Sequence, residues 1–178
     1  MTRAVDSIQD EDGEGLPFED EIQGVQGQID RIVAECGWGV NVGLTEPAHV
    51  PYAVTAGLTE SFDHPEILIV GFDPGAMIDI VNAAAKLLRS GIRFSDSARM
   101  DRVVRDGVVA FRSVEPDDSL PHSALLDHRY GKNGYEILQM FLPDDAGLFP
   151  WESGCNPELG EFQTQILRVL APPKNPTD

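Results

Sequence analysis

Apolar residues recur at helical spacing through Ile22, Val25, Ile29, Ile32, Val33 and Cys36, which predicts an amphipathic helix over 20–36. Gly24 and Gly27 weaken it, and Gly37 offers a left-handed cap. Three apolar stretches separated by turns follow at 38–44, 51–58 and 65–72. The second alternates, with Tyr52, Val54, Ala56 and Leu58 on one face and Ala53, Thr55 and Gly57 on the other. The third is apolar on both faces and reads as a central strand. Pro51 has no N–H to donate, which confines it to a strand start or an edge.

The clearest helix covers 75–90, where Met77, Ile80, Val81, Ala84, Leu87 and Leu88 form one stripe and Gly91 ends it. Asp106-Gly107 then signals a tight type I′ hairpin between strands at about 100–105 and 108–114. A short helix is expected over 119–130 from Ser119, with Pro121 in its first turn. A strand is expected over 134–142, then a turn-rich segment, then a strand or short helix over 164–170. This order predicts an α+β fold. Its sheet is mixed and largely antiparallel, with a half-open barrel as one arrangement and helices packed on one side.

The 178 residues fit one domain, expected over 19–171, with a disordered acidic tail at 1–18 and a flexible tail at 172–178. Residues 1–21 hold eight carboxylates against Arg3 alone, too polar to offset the entropy of ordering. The net charge of −17 opposes binding to nucleic acid and to anionic membranes, and no run is long and apolar enough to cross a membrane. The N-terminus lacks the basic and apolar regions of a signal peptide, so a cytoplasmic location is the expectation. Cys36 and Cys155 fit no zinc or redox spacing and read as free thiols.

No dinucleotide, Walker or nucleophile-elbow motif is present. His122 and His128 lack the ligand density of an ordinary zinc site, so no metal is expected. The informative segment is Tyr52 to Glu66, where Asp63-His64-Pro65-Glu66 turns between two apolar strands. His64 and Glu66 are the candidate catalytic pair, the carboxylate orienting an imidazole for proton transfer. The bland alternative is that His64 bonds to backbone and closes the turn. Gln139 stands among apolar neighbours and needs a partner if buried, either a backbone group or a ligand. Phe149-Pro150-Trp151-Glu152 suits a flat ligand or a loop anchored to the core.

The strings Cys36-Gly37-Trp38-Gly39-Val40, Tyr52-Ala53-Val54-Thr55-Ala56-Gly57-Leu58 and His64-Pro65-Glu66 resemble the bacterial domain family DUF4262. Leu138-Gln139, Pro143-Asp144, Gly147 and Phe149-Pro150-Trp151-Glu152 continue the match over about residues 25–165. Leu142 stands where that family usually has tryptophan. The resemblance implies a stand-alone bacterial cytoplasmic domain with no established activity. The strands are also loosely similar to flavin-binding split barrels, but a likeness of fold carries no function, and the cofactor stays unknown.

Two functions follow. One is a small-molecule-binding enzyme with His64 as acid or base. Tyr52 or Thr55 would donate to the ligand, together with Gln139, and Trp151 would stack on it. Arg93 and Arg99 would hold an anionic group. This requires the His64 turn and the aromatic loop to meet over one concavity. The other is a non-catalytic interaction or inhibitor-type protein whose acidic surface meets a basic partner.

Overall fold

The computed structural model describes residues 17–45, 49–114 and 121–164. The tail expected over 1–18 lies, apart from Pro17 and Phe18, outside the described residues. So do 172–178 and all but Thr164 of the run at 164–170. Among the described residues the elements follow in the order α1 (Pro17–Cys36), β1 (Gly39–Leu44), β2 (Pro51–Ala56), α2 (Leu58–Phe62), β3 (Glu66–Val70), α3 (Pro74–Arg89), β4 (Arg99–Met100), β5 (Val109–Val114), α4 (Pro121–Tyr130), β6 (Ile137–Phe141) and α5 (Pro157–Thr164).

The strands form one sheet in the order β1-β2-β3-β6-β5-β4. All neighbours are antiparallel except β3 and β6, which run parallel. The fold is therefore α+β with a mixed, largely antiparallel sheet that is not closed into a barrel. β3 is fully buried along its length, as a strand apolar on both faces must be. Ile67 and Ile69 face α3, packing with Met77, Val81, Ala84, Ala85 and Leu88. Leu68 and Val70 face the opposite side with Tyr52, Val54, Ile29 of α1 and Leu125 and Leu126 of α4. Helices thus cover both faces, not one, because β2, β3 and β6 offer apolar groups to each side.

Local signals explain most boundaries. Gly37 (φ +90°) ends α1 in the left-handed region. The Asp73 carboxylate accepts from the Ala76 N–H at 3.1 Å, with Pro74 opening α3. Trp38 is buried against the α3 face and donates from Nε1 to Asn82 at 2.9 Å, under the Arg89 guanidinium.

Three expectations need correction. β4 is two residues long, pairing Arg99 with Ala110 and Met100 with Val109, and no two-residue hairpin forms. A type I′ turn needs positive φ at both central residues, and neither Asp106 nor Gly107 has it. The chain instead turns Val103 into the core on the α3 side. Leu58 does not continue β2; it starts α2 and packs on the α3 side. The turn-rich segment before residue 164 contains α5, opened by Asn156 Oδ1 accepting from the Glu158 N–H at 3.1 Å, with Pro157 as first residue.

Phe111 is fully buried and stacks on Phe94 at 4.5 Å between ring centres. Phe111→Ala is expected to destabilise the domain by about 3–5 kcal/mol in urea denaturation, whereas the half-exposed Phe162 should cost far less. Equal losses would contradict this layout of the core.

Candidate functional site

The turn between β2 and β3 is built around one carboxylate. Glu66 is fully buried at the start of β3. Its oxygens accept from Thr55 Oγ1 at 2.6 Å, from the backbone N–H groups of Gly57, Leu58 and Thr59 at 3.1, 3.3 and 3.0 Å, and from the Tyr130 hydroxyl at 2.9 Å. Thr55 Oγ1 in turn accepts from the Ile67 N–H at 2.8 Å. The amides opening a helix have no partner within it, so Glu66 satisfies the start of α2 from the neighbouring strand and places negative charge there. Gly57 makes the geometry possible. Its φ is +118°, and a Cβ there would stand 2.8 Å from the Gly37 carbonyl oxygen. Burial and the Glu66 charge push the Tyr130 phenol well above its ordinary value.

His64 lies two residues before Glu66 and is buried, yet makes no hydrogen bond to it. Its Nδ1 is 2.7 Å from the Pro65 carbonyl oxygen; its Nε2 is 3.2 Å from the Phe94 N–H nitrogen and 3.1 Å from the Phe94 carbonyl oxygen. A neutral ring protonated on Nδ1 donates to Pro65 and accepts from Phe94, which satisfies both nitrogens. The ring meets Phe94 edge-on at 5.8 Å. Burial pushes the imidazole below its ordinary value, and the Arg93 charge acts in the same direction.

Beside this turn is an open cleft of about 320 Å³. Thr59, Asp63, His64 and Pro65 form one wall and residues 133–136, the turn from α4 into β6, form the other. The Glu66 N–H donates to the Glu136 carbonyl at 2.8 Å and ties the walls together. Asp63 (φ +50°) and Asn133 (φ +65°) are left-handed non-glycine residues, one on each wall. Asp63 and Glu136 are exposed carboxylates, and the Tyr135 hydroxyl donates to Asp127 at 2.9 Å.

The aromatic loop is elsewhere. Trp151 packs edge-on against Phe141 at the carboxyl end of β6, whereas His64 lies at the amino end of β3, the parallel neighbour of β6. The two segments occupy opposite ends of this strand pair, so they do not meet over the one concavity expected from the sequence. The loop is a four-layer stack. The Arg99 guanidinium lies over Phe149 at 4.7 Å, Phe149 stacks on Trp151 at 5.3 Å, and the Arg112 guanidinium lies over Trp151 at 5.3 Å. Glu152 accepts from the Phe149 N–H at 2.9 Å and from Arg99 at 2.7 Å, which holds its carboxyl below the usual range. Asp144 accepts from the N–H groups of Ala146, Leu148 and Asn156 and fixes the neighbouring turn.

Gln139 is buried at mid-strand in β6 and donates to the Gln163 carbonyl, while its own Oε1 has no hydrogen-bond partner among the described residues. Gln163, which the sequence reading missed, bonds both the N–H and the carbonyl of Leu142 at 2.8 Å and pins α5 to the end of β6. Tyr52 sits at the far end of β2 from Thr55, directly across from Gly43, and burial raises its phenol to about 12. Arg93 donates to the carbonyls of Leu88 and Ile92 after α3. Of the candidate residues, Thr55 and Glu66 are therefore bonded together with His64 beside them, Arg99 and Trp151 share the stack, and Tyr52 and Gln139 stand apart. Tyr130 was missed because it lies far along the chain, in α4.

A family model described as "Domain of unknown function (DUF4262)" matches residues 32–156. The chain belongs to the DUF4262 family. The matched span opens late in α1 and closes just before α5, so the DUF4262 region holds all six strands, the cleft and the aromatic stack. No curated protein and no solved structure matches the chain.

Removing the carboxylate with Glu66→Ala leaves the Leu58 and Thr59 amides and two hydroxyls without their acceptor, while the Gly57 N–H keeps the Tyr130 hydroxyl oxygen at 2.7 Å; a loss of about 3 kcal/mol or more in unfolding free energy is expected. A neutral effect would show that the network is idle. For His64, the folded value lies below the ordinary 6.5, so the unfolded chain takes up the proton first. The ring's contribution to stability is full above 6.5 and is lost as pH falls from there towards the folded value. A proton NMR titration of the native imidazole should give a midpoint below 6.5, and a midpoint above it would refute the burial argument.

Proposed function

We propose that this DUF4262 domain binds a small polar molecule in the cleft beside His64. One observation supports this reading above the rest: an open cavity of about 320 Å³, within the range of ligand sites, lies between two turns held by buried hydrogen bonds. Asp63 and Glu136 offer acceptors at its walls, and His64 is the group there whose protonation burial controls. As an enzyme, the domain would use His64 as a base, since burial keeps the ring neutral. Catalysis then requires the ligand to displace the Phe94 N–H from Nε2. An anionic ligand would look to Arg93, whose charge is felt at His64, because Arg99 is engaged by Glu152. Both cysteines are free thiols, in keeping with a reducing bacterial cytoplasm. Among the described residues no helix is long and apolar enough to cross a membrane.

A second reading rests on the net charge of −17, which favours a basic protein partner. Its affinity would fall as salt rises.

Titrating the isotope-labelled full chain with a set of small polar molecules should move the amide resonances of 59–65 and 133–136. Asp63→Ala should weaken binding by roughly tenfold, the cost of one hydrogen bond to a charged group. Binders that leave those resonances in place would overturn the cleft as the site.

A further inference from the structure

The two edges of the sheet differ. β4 is two residues long and carries Arg99, which is bridged to Glu152; a short, charged strand offers little to a new neighbour. β1 has none of these protections. It is six residues long, pairs with β2 in an unbroken register, and contains no proline and no ionisable side chain. Among the described residues, the exposed large hydrophobic side chains include two on this strand, Val42 at 37% and Leu44 at 51% exposure.

The direction of its free backbone groups follows from the ladder. The Thr45 N–H bonds the Val50 carbonyl at 2.9 Å, extending the register that sets Leu44 against Pro51. In an antiparallel pair the bonded residues alternate, so Gly39, Asn41 and Gly43 bond β2, while the N–H and C=O of Val40, Val42 and Leu44 point outward. The same three residues direct their side chains to the α3 face, where Val40 packs on the core. One set of residues therefore supplies both the free hydrogen-bonding edge and its apolar stripe.

We infer that β1 is a self-association edge on which a second copy of this chain pairs antiparallel through its own β1, extending the sheet across a two-fold axis at Val42. In this register Val42 lies against Val42 of the partner subunit and Val40 lies against Leu44 of the partner subunit. All three outward residues of each copy then donate and accept, and every apolar side chain stays on the α3 face. A slip by one residue turns the stripe of one copy onto the opposite face of the other. Charge selects the occupant. A basic peptide finds no carboxylate on this strand, whereas an uncharged, β-rich strand with matching alternation is what β1 itself provides. The rest of the surface, at −17 per copy, repels a second copy at long range, so salt strengthens this association, the opposite of its effect on a basic partner.

Analytical ultracentrifugation of the full chain, from low micromolar to submillimolar concentration at low and high salt, tests the proposal. The expected result is a monomer–dimer equilibrium that shifts towards dimer as salt rises. Val42→Lys, which sets two charges against each other at the axis, should weaken the dimer by about tenfold or more. Val42→Pro removes an outward N–H without touching the bonds to β2 and should weaken it as well. Circular dichroism confirms that each variant is folded. A wild-type chain that stays monomeric throughout, a dimer that weakens with salt, or one indifferent to both folded variants overturns the proposal.

Discussion

The Glu66 carboxylate is fully buried, and two parts of the chain far apart in sequence supply its donors: the stretch 55–59, through the Thr55 hydroxyl and the Gly57, Leu58 and Thr59 amides, and Tyr130 of α4. A buried charge is tolerated only when its oxygens are satisfied, and these groups satisfy them. The cost of desolvating the carboxylate thus fixes where β2 ends, how α2 is aimed, and how closely α4 approaches the sheet. Since Thr59 of α2 and the turn following α4 form parts of opposite walls of the cleft, the cleft depends on this carboxylate, although Glu66 is absent from its lining.

His64 has a parallel role at shorter range. Its two nitrogens join the Pro65 carbonyl to the backbone of Phe94, and Phe94 stacks on Phe111 in the core. The segment after α3 is in this way fastened to the cleft wall. An imidazole satisfied on both sides and pushed towards neutrality is a stiff element, and any proton it exchanges requires backbone to let go.

At the other end of the sheet the Arg99–Phe149–Trp151–Arg112 stack uses aromatic faces and guanidinium planes to hold a loop that has little regular structure. Glu152 neutralises one arginine and accepts from the Phe149 N–H, so the motif Phe149-Pro150-Trp151-Glu152 is largely consumed in making its own loop. Two clusters of polar and aromatic residues therefore lie at opposite ends of one sheet, and only the His64 cluster borders the open cleft.

Local pattern determined the α3 stripe, the central position of β3, the start of β2 at Pro51 and the family, because periodicity, proline and glycine act within a few residues. The Asp106-Gly107 signal misled for the opposite reason. Its turn would need β4 to alternate, and burial of Val103 on the α3 side overrode that local preference. For the site, the sequence singled out Glu66 and Thr55 but could not show that they bond each other, nor that Tyr130 joins them. It likewise could not show that β3 and β6 run parallel, which separates His64 from Trp151. Hydrogen bonds between residues tens of positions apart leave no spacing to read. Only the tertiary structure decides which buried acceptor meets which buried donor.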